Sequence, residues 1–121
     1  MLDAAMPDAR APFPLSPQQF QILLALTDED RHGYGIIADV IERTAGAVRL
    51  GTGPLYTAIA RLVTLGFIVE TSRRDADDSR RRYYALTAAG RQALRGEAAR
   101  LEALLAQARR KGIRAPLKGR R

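Results

Sequence analysis

The spacing of apolar residues changes twice along this 121-residue chain, and the two changes limit what it can fold into. From Phe20 to Val63 apolar positions recur every three or four residues, as on one face of a helix. Residues 67–72 (FIVETS) and 81–86 (RRYYAL) read as strands, and the charged run RRDADDSR (73–80) separates them. Helical spacing then returns as Leu94, Ala98, Leu101, Leu105 and Ala108, in steps of four, three, four and three, which is a heptad seam. The chain therefore predicts three helices, a two-stranded hairpin with a long tip, and one long helix. That is the element order of a winged helix-turn-helix followed by one long helix, expected to serve dimerisation: a mainly α fold with a small β-hairpin.

Local signals place the boundaries. Ser16 suits an N-cap, Pro17 the first helical position, and Gln19 completes a capping box, with Leu15 and Phe20 as a hydrophobic staple. The first helix is expected to run to about Thr27 with Phe20, Leu23, Leu24 and Thr27 on one side. DEDRHG (28–33) is expected to turn the chain. The second helix, 34–45, carries Ile36, Ile37, Val40, Ile41 and Thr44, with Gly46 as its C′ residue. Residues 47–50 are at most one short strand. Pro54 opens the third helix, Gly66 closes it, and Thr87 caps a last helix from Ala88 to Arg110. The expected division is a disordered N-terminal segment (1–14), a winged-helix DNA-binding domain (15–86), a dimerisation helix (87–111) and a basic tail (112–121).

Composition narrows the chemistry. With no cysteine and a single histidine, His32, the chain lacks disulfides, thiolate or multi-histidine metal sites, and Cys–His catalysis. No carboxylate pair falls in an evident pocket pattern and no nucleophile has an adjacent base, so neither an enzyme, a metal nor a cofactor is expected. No run approaches the ~18 apolar residues of a membrane span. The N-terminus lacks the basic start and apolar run of a signal peptide, so the expectation is a cytoplasmic protein without a membrane partner. The net charge of +7 lies wholly in the tail: 109–121 (RRKGIRAPLKGRR) holds seven basic residues and no acid, while 1–108 holds 13 of each sign. Such a tail favours a polyanion, nucleic acid before an anionic membrane surface, against a merely solvated end.

The third helix is the most informative segment. In GTGPLYTAIARLVTLG (51–66), Leu55, Ile59, Leu62 and Val63 form the apolar face. Tyr56, Thr57, Ala60, Arg61 and Thr64 form the other, and no acid occurs between Leu50 and Val69. A solvated helix usually carries Glu and Lys there. The second helix of a helix-turn-helix enters the major groove, and a short polar outer face lets its backbone approach DNA. Gly51 and Gly53 would permit that approach, Tyr56 and Thr57 would donate to phosphates, and Arg61 would reach a base edge or a phosphate. Arg73 and Arg74 before the hairpin tip, and Arg80, Arg81 and Arg82 after it, would make a basic wing. Asp75, Asp77 and Asp78 between them leave open a self-satisfied ion-pair cluster. One of Tyr83 and Tyr84 is expected in the core. The heptad seam would either pair with a second copy across a two-fold axis or pack back on the first helix.

Taken together, HGYGI (32–36), LGTGPLYTAIARLVTLGFI (50–68) and DDSRRRYYALTAAG (77–90) at these spacings resemble the PadR family of bacterial transcriptional regulators, from Leu15 to about Leu105. The single long C-terminal helix is similar to the compact subfamily. The resemblance implies a homodimeric winged-helix repressor on a palindromic double-stranded DNA operator, relieved by a small aromatic or hydrophobic effector at the dimer interface. By motif position Tyr34 would contact a phosphate or pack at the start of the second helix. Gly53, Leu55 and Tyr56 fall on the family's G-x-L-Y segment, with Tyr56 the DNA contact, and Arg80, Arg81 and Arg82 on its basic wing. Pro54 stands where the family commonly has threonine, while Thr52, two residues earlier, would cap the helix or contact DNA. The expected DNA-contact set is thus Tyr34, Thr52, Gly53, Pro54, Tyr56, Thr57, Arg61, Arg73, Arg74, Arg80, Arg81 and Arg82. A second reading is a winged-helix protein-interaction module whose basic tail meets RNA or a membrane surface.

Overall fold

The computed structural model describes residues 14–116. The expected N-terminal segment, apart from Pro14, and the last five positions of the basic tail lie outside the described residues. Ser16 Oγ accepts from the Gln19 N–H at 3.0 Å and Gln19 Oε1 accepts from the Ser16 N–H at 2.9 Å, so the capping box closes in front of α1 (Pro17–Ala25). The helix stops two residues short of Thr27, whose hydroxyl instead donates to the Leu24 carbonyl at 2.8 Å. Its buried stripe is Ile22, Leu23, Ala25 and Leu26, with Phe20 and Leu24 only partly covered. The stripe is rotated from the expected one because three other helices pack around α1.

The expected turn at 28–33 contains a strand. Arg31–His32 (β1) pairs antiparallel with β3 (Tyr83–Leu86), Arg31 opposite Tyr84 and His32 opposite Tyr83. On its other side β3 pairs with β2 (Ile68–Glu70), so the sheet has three strands in the order β1-β3-β2 rather than the two of a hairpin. Both tyrosines are buried as a result. Tyr84 joins the core, while Tyr83, on the opposite face, lies edge-on to the His32 ring at 5.1 Å.

Helix α2 (Gly33–Arg43) starts directly after β1, with His32 Nδ1 accepting from the Gly35 N–H at 3.1 Å as its cap. At its other end the Ala45 N–H bonds Glu42 O at 3.2 Å and the Gly46 N–H bonds Ile41 O at 2.8 Å. This is a Schellman ending whose first left-handed residue is Ala45 (φ 53), not Gly46, so the glycine sits one position later than expected. Residues 47–50 form no strand.

Helix α3 (Thr52–Thr64) opens two residues before Pro54, because Gly51 adopts the extended cap conformation and accepts from the Leu55 N–H at 2.9 Å. Thr52 is therefore the first helical residue and does not cap. Pro54 is the third, where an N–H has no intrahelical partner to lose. Gly66 (φ 81) closes the helix as predicted, with Phe67 N–H on Leu62 O at 3.0 Å. The face of α3 that packs inward is Leu55, Ile59 and Leu62; Val63, expected on it, is exposed. Thr87 Oγ1 accepts from the Gly90 N–H at 3.0 Å and donates to Gly66 O at 2.6 Å, tying the start of α4 (Ala88–Arg110) to the end of α3. Ile22, Leu23, Ile36, Val40, Leu55, Leu62 and Ile68 are fully buried at the centre, each worth about 1.5–3 kcal/mol of burial.

Candidate nucleic-acid interface

The inward leucines and isoleucine of α3 leave a continuous outer face. Thr52, Gly53, Pro54, Tyr56, Thr57, Ala60, Arg61 and Thr64 are all exposed on it. The N–H groups of Thr52 and Gly53 lie in the first turn, where an α-helix offers free donors and positive potential to an anion, and Pro54 removes a third. A Cβ added at Gly53 would meet nothing within 4 Å among the described residues, so packing within the chain does not require glycine there. Arg61 forms no ion pair among the described residues.

Tyr56 leans from α3 across the start of α2 and is 45% exposed. Tyr34, on the first turn of α2, is more exposed still. Between these two tyrosines and Arg80, Arg81, Arg82 and Tyr84 of the wing lies an open cleft of about 500 Å3. Burial above all, then Glu70 and Tyr56, push the Tyr84 phenol up from its ordinary value, so it stays a neutral hydroxyl.

The wing is organised by its acids. Glu70 accepts from Arg82 at 2.7 Å and from Arg74 at 3.2 Å. Asp75 accepts from the Tyr83 hydroxyl at 2.8 Å and from Arg81 at 3.3 Å, and Asp78 lies 3.4 Å from Arg80. Arg73 has no carboxylate partner among the described residues; its guanidinium stacks over the Tyr83 ring at 3.9 Å. The Arg82 hydrogen bond holds the Glu70 carboxyl below its usual range, and the Tyr83 hydroxyl, then Arg81, do the same for Asp75. Five arginines thus face four acids between residues 70 and 82. The ion-pair alternative describes Arg74, Arg80, Arg81 and Arg82, although the Arg80 side chain, paired with Asp78, is still 92% exposed. Exposed pairs are worth only ~0–1 kcal/mol each. A phosphate can therefore replace the carboxylate at small cost in the pairs of Arg74 and Arg82 with Glu70 and of Arg80 with Asp78, while the mostly covered Asp75 keeps its Tyr83 hydrogen bond.

The seam of α4 divides into two parts. Leu94, expected at the dimer interface, is instead buried in the chain's own core beside Ala93, because the first turns of α4 pack on α1. Glu97 is also buried there, accepting from the Leu15 N–H at 3.2 Å and from Arg100 Nε at 3.0 Å. Beyond that point Ala98, Leu101 and Leu105 are exposed and Ala108 is half-buried. Leu104, absent from the expected seam, is exposed on the same stretch. The sequence pattern does not single out Leu104, Glu97, Glu70 or Gly33. For Leu104 the Leu-Leu pair at 104–105 was a usable signal. Among the described residues no helix is long and apolar enough to cross a membrane.

The sequence model of the PadR-like family of transcriptional regulators matches residues 22–96. A transcriptional regulator from Clostridium thermocellum superposes with a TM-score of 0.67 at 21% identity, over 89% of this chain and 96% of that one. RosR of H. salinarum, in a complex, superposes with a TM-score of 0.60 at 30% identity, over 85% and 79% of the two chains. PadR of Bacillus subtilis, in complex with operator DNA, gives 0.58 at 23% identity, over 64% of this chain and 44% of that one. No curated protein matches the chain at a significant level.

Proposed function

The chain belongs to the PadR-like family of transcriptional regulators, which are not enzymes, and on that premise we propose that it is a sequence-specific DNA-binding regulator, a homodimeric repressor relieved by a small-molecule ligand. The outer face of α3 carries this reading: eight exposed residues, none acidic, with Arg61 unpaired among the described residues. In this arrangement α3 enters the major groove with Arg61 toward base edges. Thr52, Gly53, Tyr56 and Thr57 meet phosphates beside it, and Pro54 shapes the helix tip. Tyr34 and the arginines of the wing, Arg73, Arg74, Arg80, Arg81 and Arg82, hold the flanking backbone.

The uncovered part of α4, with Ala98, Leu101, Leu104, Leu105 and Ala108, is the surface a second copy covers. A two-fold pairing there sets the two α3 helices roughly 34 Å apart, on successive turns of a palindromic operator. A small aromatic or hydrophobic effector at that interface relieves repression by changing the separation. Residues 112–121 add a sequence-independent anchor on the DNA backbone. Deleting them should weaken binding to all duplexes alike and flatten its salt dependence; unchanged affinity and slope would refute the anchor.

The ion-paired wing favours one other reading, a protein-interaction module whose tail meets RNA or a membrane surface. Arg61→Glu separates the two, since it reverses a charge on the α3 face without touching the wing, α4 or the tail. Operator binding lost in a folded variant supports the DNA reading; operator binding retained refutes it.

A further inference from the structure

We infer that Gly33 is a positioning residue for DNA binding: the side chain missing at the first position of α2 is the seat on which Tyr56 of α3 lies, and it fixes where the Tyr56 hydroxyl stands in the cleft. The inference rests on the DNA-binding reading above.

Gly33 is buried, and its backbone is in the ordinary helical region, so no conformational demand selects glycine. What selects it is one neighbour. A Cβ built at Gly33 would fall 2.7 Å from Tyr56 Cζ and 3.2 Å from its Cε1, and closer still to its hydroxyl oxygen. These are the three nearest atoms, and all belong to the same side chain. Gly90 is the contrasting case. A Cβ there would run into the Phe67 backbone carbonyl and come within 2.7 Å of Leu86 Cδ1, so a substitution at Gly90 must move main chain. At Gly33 it need only displace the far end of one partly exposed ring. The close approach of α2 and α3 at this point therefore serves the placement of Tyr56. With the ring laid on Gly33, the Tyr56 hydroxyl borders the same cleft as Tyr34 and Arg80, Arg81 and Arg82. A hydroxyl held at the edge of this cleft, which Asp78 also lines, is a directed donor to one phosphate oxygen.

A double-mutant cycle tests this. Gly33→Ala, Tyr56→Ala and the double variant are compared with the wild type by fluorescence anisotropy on the upstream intergenic DNA of the gene, and each is melted by circular dichroism. Gly33→Ala should weaken specific binding at least about tenfold, the worth of one hydrogen bond to a charged phosphate, while melting within a few degrees of the wild type. In the Tyr56→Ala background the alanine has nothing to displace, so the double variant should bind no more weakly than Tyr56→Ala alone. Gly33→Ala binding like the wild type, or losses that multiply in the double variant, would overturn the positioning role while leaving the DNA reading intact. So would a Gly33→Ala protein that fails to fold and is not rescued by Tyr56→Ala, because main chain would then be the obstacle. A folded wild type that binds no DNA would overturn both.

Discussion

Replacing Gly53 with alanine should raise stability and lower DNA affinity in the same protein. Gly53 is the second residue of α3, its backbone is helical, and the site of a Cβ is open among the described residues. Alanine there restricts the unfolded chain and favours the helix, a gain of about 0.5 kcal/mol in a first turn, against the ~1 kcal/mol of a helix interior. For a domain of this size that raises the melting temperature by roughly 2–4 °C. The cost falls on the interface. A phosphate oxygen must come to about 2.9 Å from the Gly53 nitrogen to accept its hydrogen bond, and the new methyl occupies the approach. Losing one hydrogen bond to a charged group costs about 1.5–3 kcal/mol, or roughly 10- to 100-fold in affinity for each subunit engaged. Thermal melts by circular dichroism and anisotropy titrations on one preparation measure both quantities. A variant that melts higher and binds operator as tightly as the wild type would refute the claim that the tip of α3 approaches DNA.

Other expectations follow from single features. Ala45→Gly, at the left-handed end of α2, should stabilise the protein by about 0.5–1 kcal/mol in chemical denaturation, because a Cβ is strained at φ 53. Glu97→Ala should destabilise it by roughly 1–3 kcal/mol by leaving the buried Leu15 N–H without its acceptor. The Arg100 hydrogen bond holds the Glu97 carboxyl below its ordinary 4.5, so its contribution is full above that pH and is lost as pH falls below it; Glu97→Gln should flatten the acid limb of the stability curve. His32 is held below 6.5 by burial first and then by Arg81, so the unfolded chain takes its proton first and stability declines as pH drops below 6.5. His32→Asn keeps a cap and should remove that decline. Leu101→Glu with Leu105→Glu should leave helicity unchanged and give a one-chain mass in light scattering; a dimer mass would reject α4 as the interface.

Most of the fold is legible in the sequence because the signals are local. Ser16, Pro17 and Gln19 start α1 where they should, and Gly66 ends α3 at a left-handed position only glycine takes easily. What escapes is set at a distance. Two residues, Arg31 and His32, carry no period of their own, and they become a strand only because Tyr83 and Tyr84, some 50 positions later, offer an open edge. The rotation of α1 and the burial of Leu94 depend on which helices surround them, and a heptad pattern cannot say which of its members a chain covers itself. The candidate site divides the same way. The acid-free face of α3 is readable residue by residue. The pairing of Arg82 and Arg74 on Glu70 is not, because Glu70 lies outside the charged run that suggested the wing. Gly33 is read in HGYGI as part of a motif; only the ring of Tyr56 above it shows why a side chain is absent.

The central claim is that the α3 face reads sequence. The most direct measurement is anisotropy of the protein on its own upstream intergenic DNA and on a scrambled duplex of equal length, each at several salt concentrations. The five wing arginines of each subunit would neutralise about ten phosphates in a dimer, giving a slope of log affinity on log salt near −9 before any contribution of the tail. The account predicts that slope together with a preference of ~10³-fold or more for the native duplex. Equal, steeply salt-dependent binding to both duplexes would mean that charge alone is at work and would contradict it.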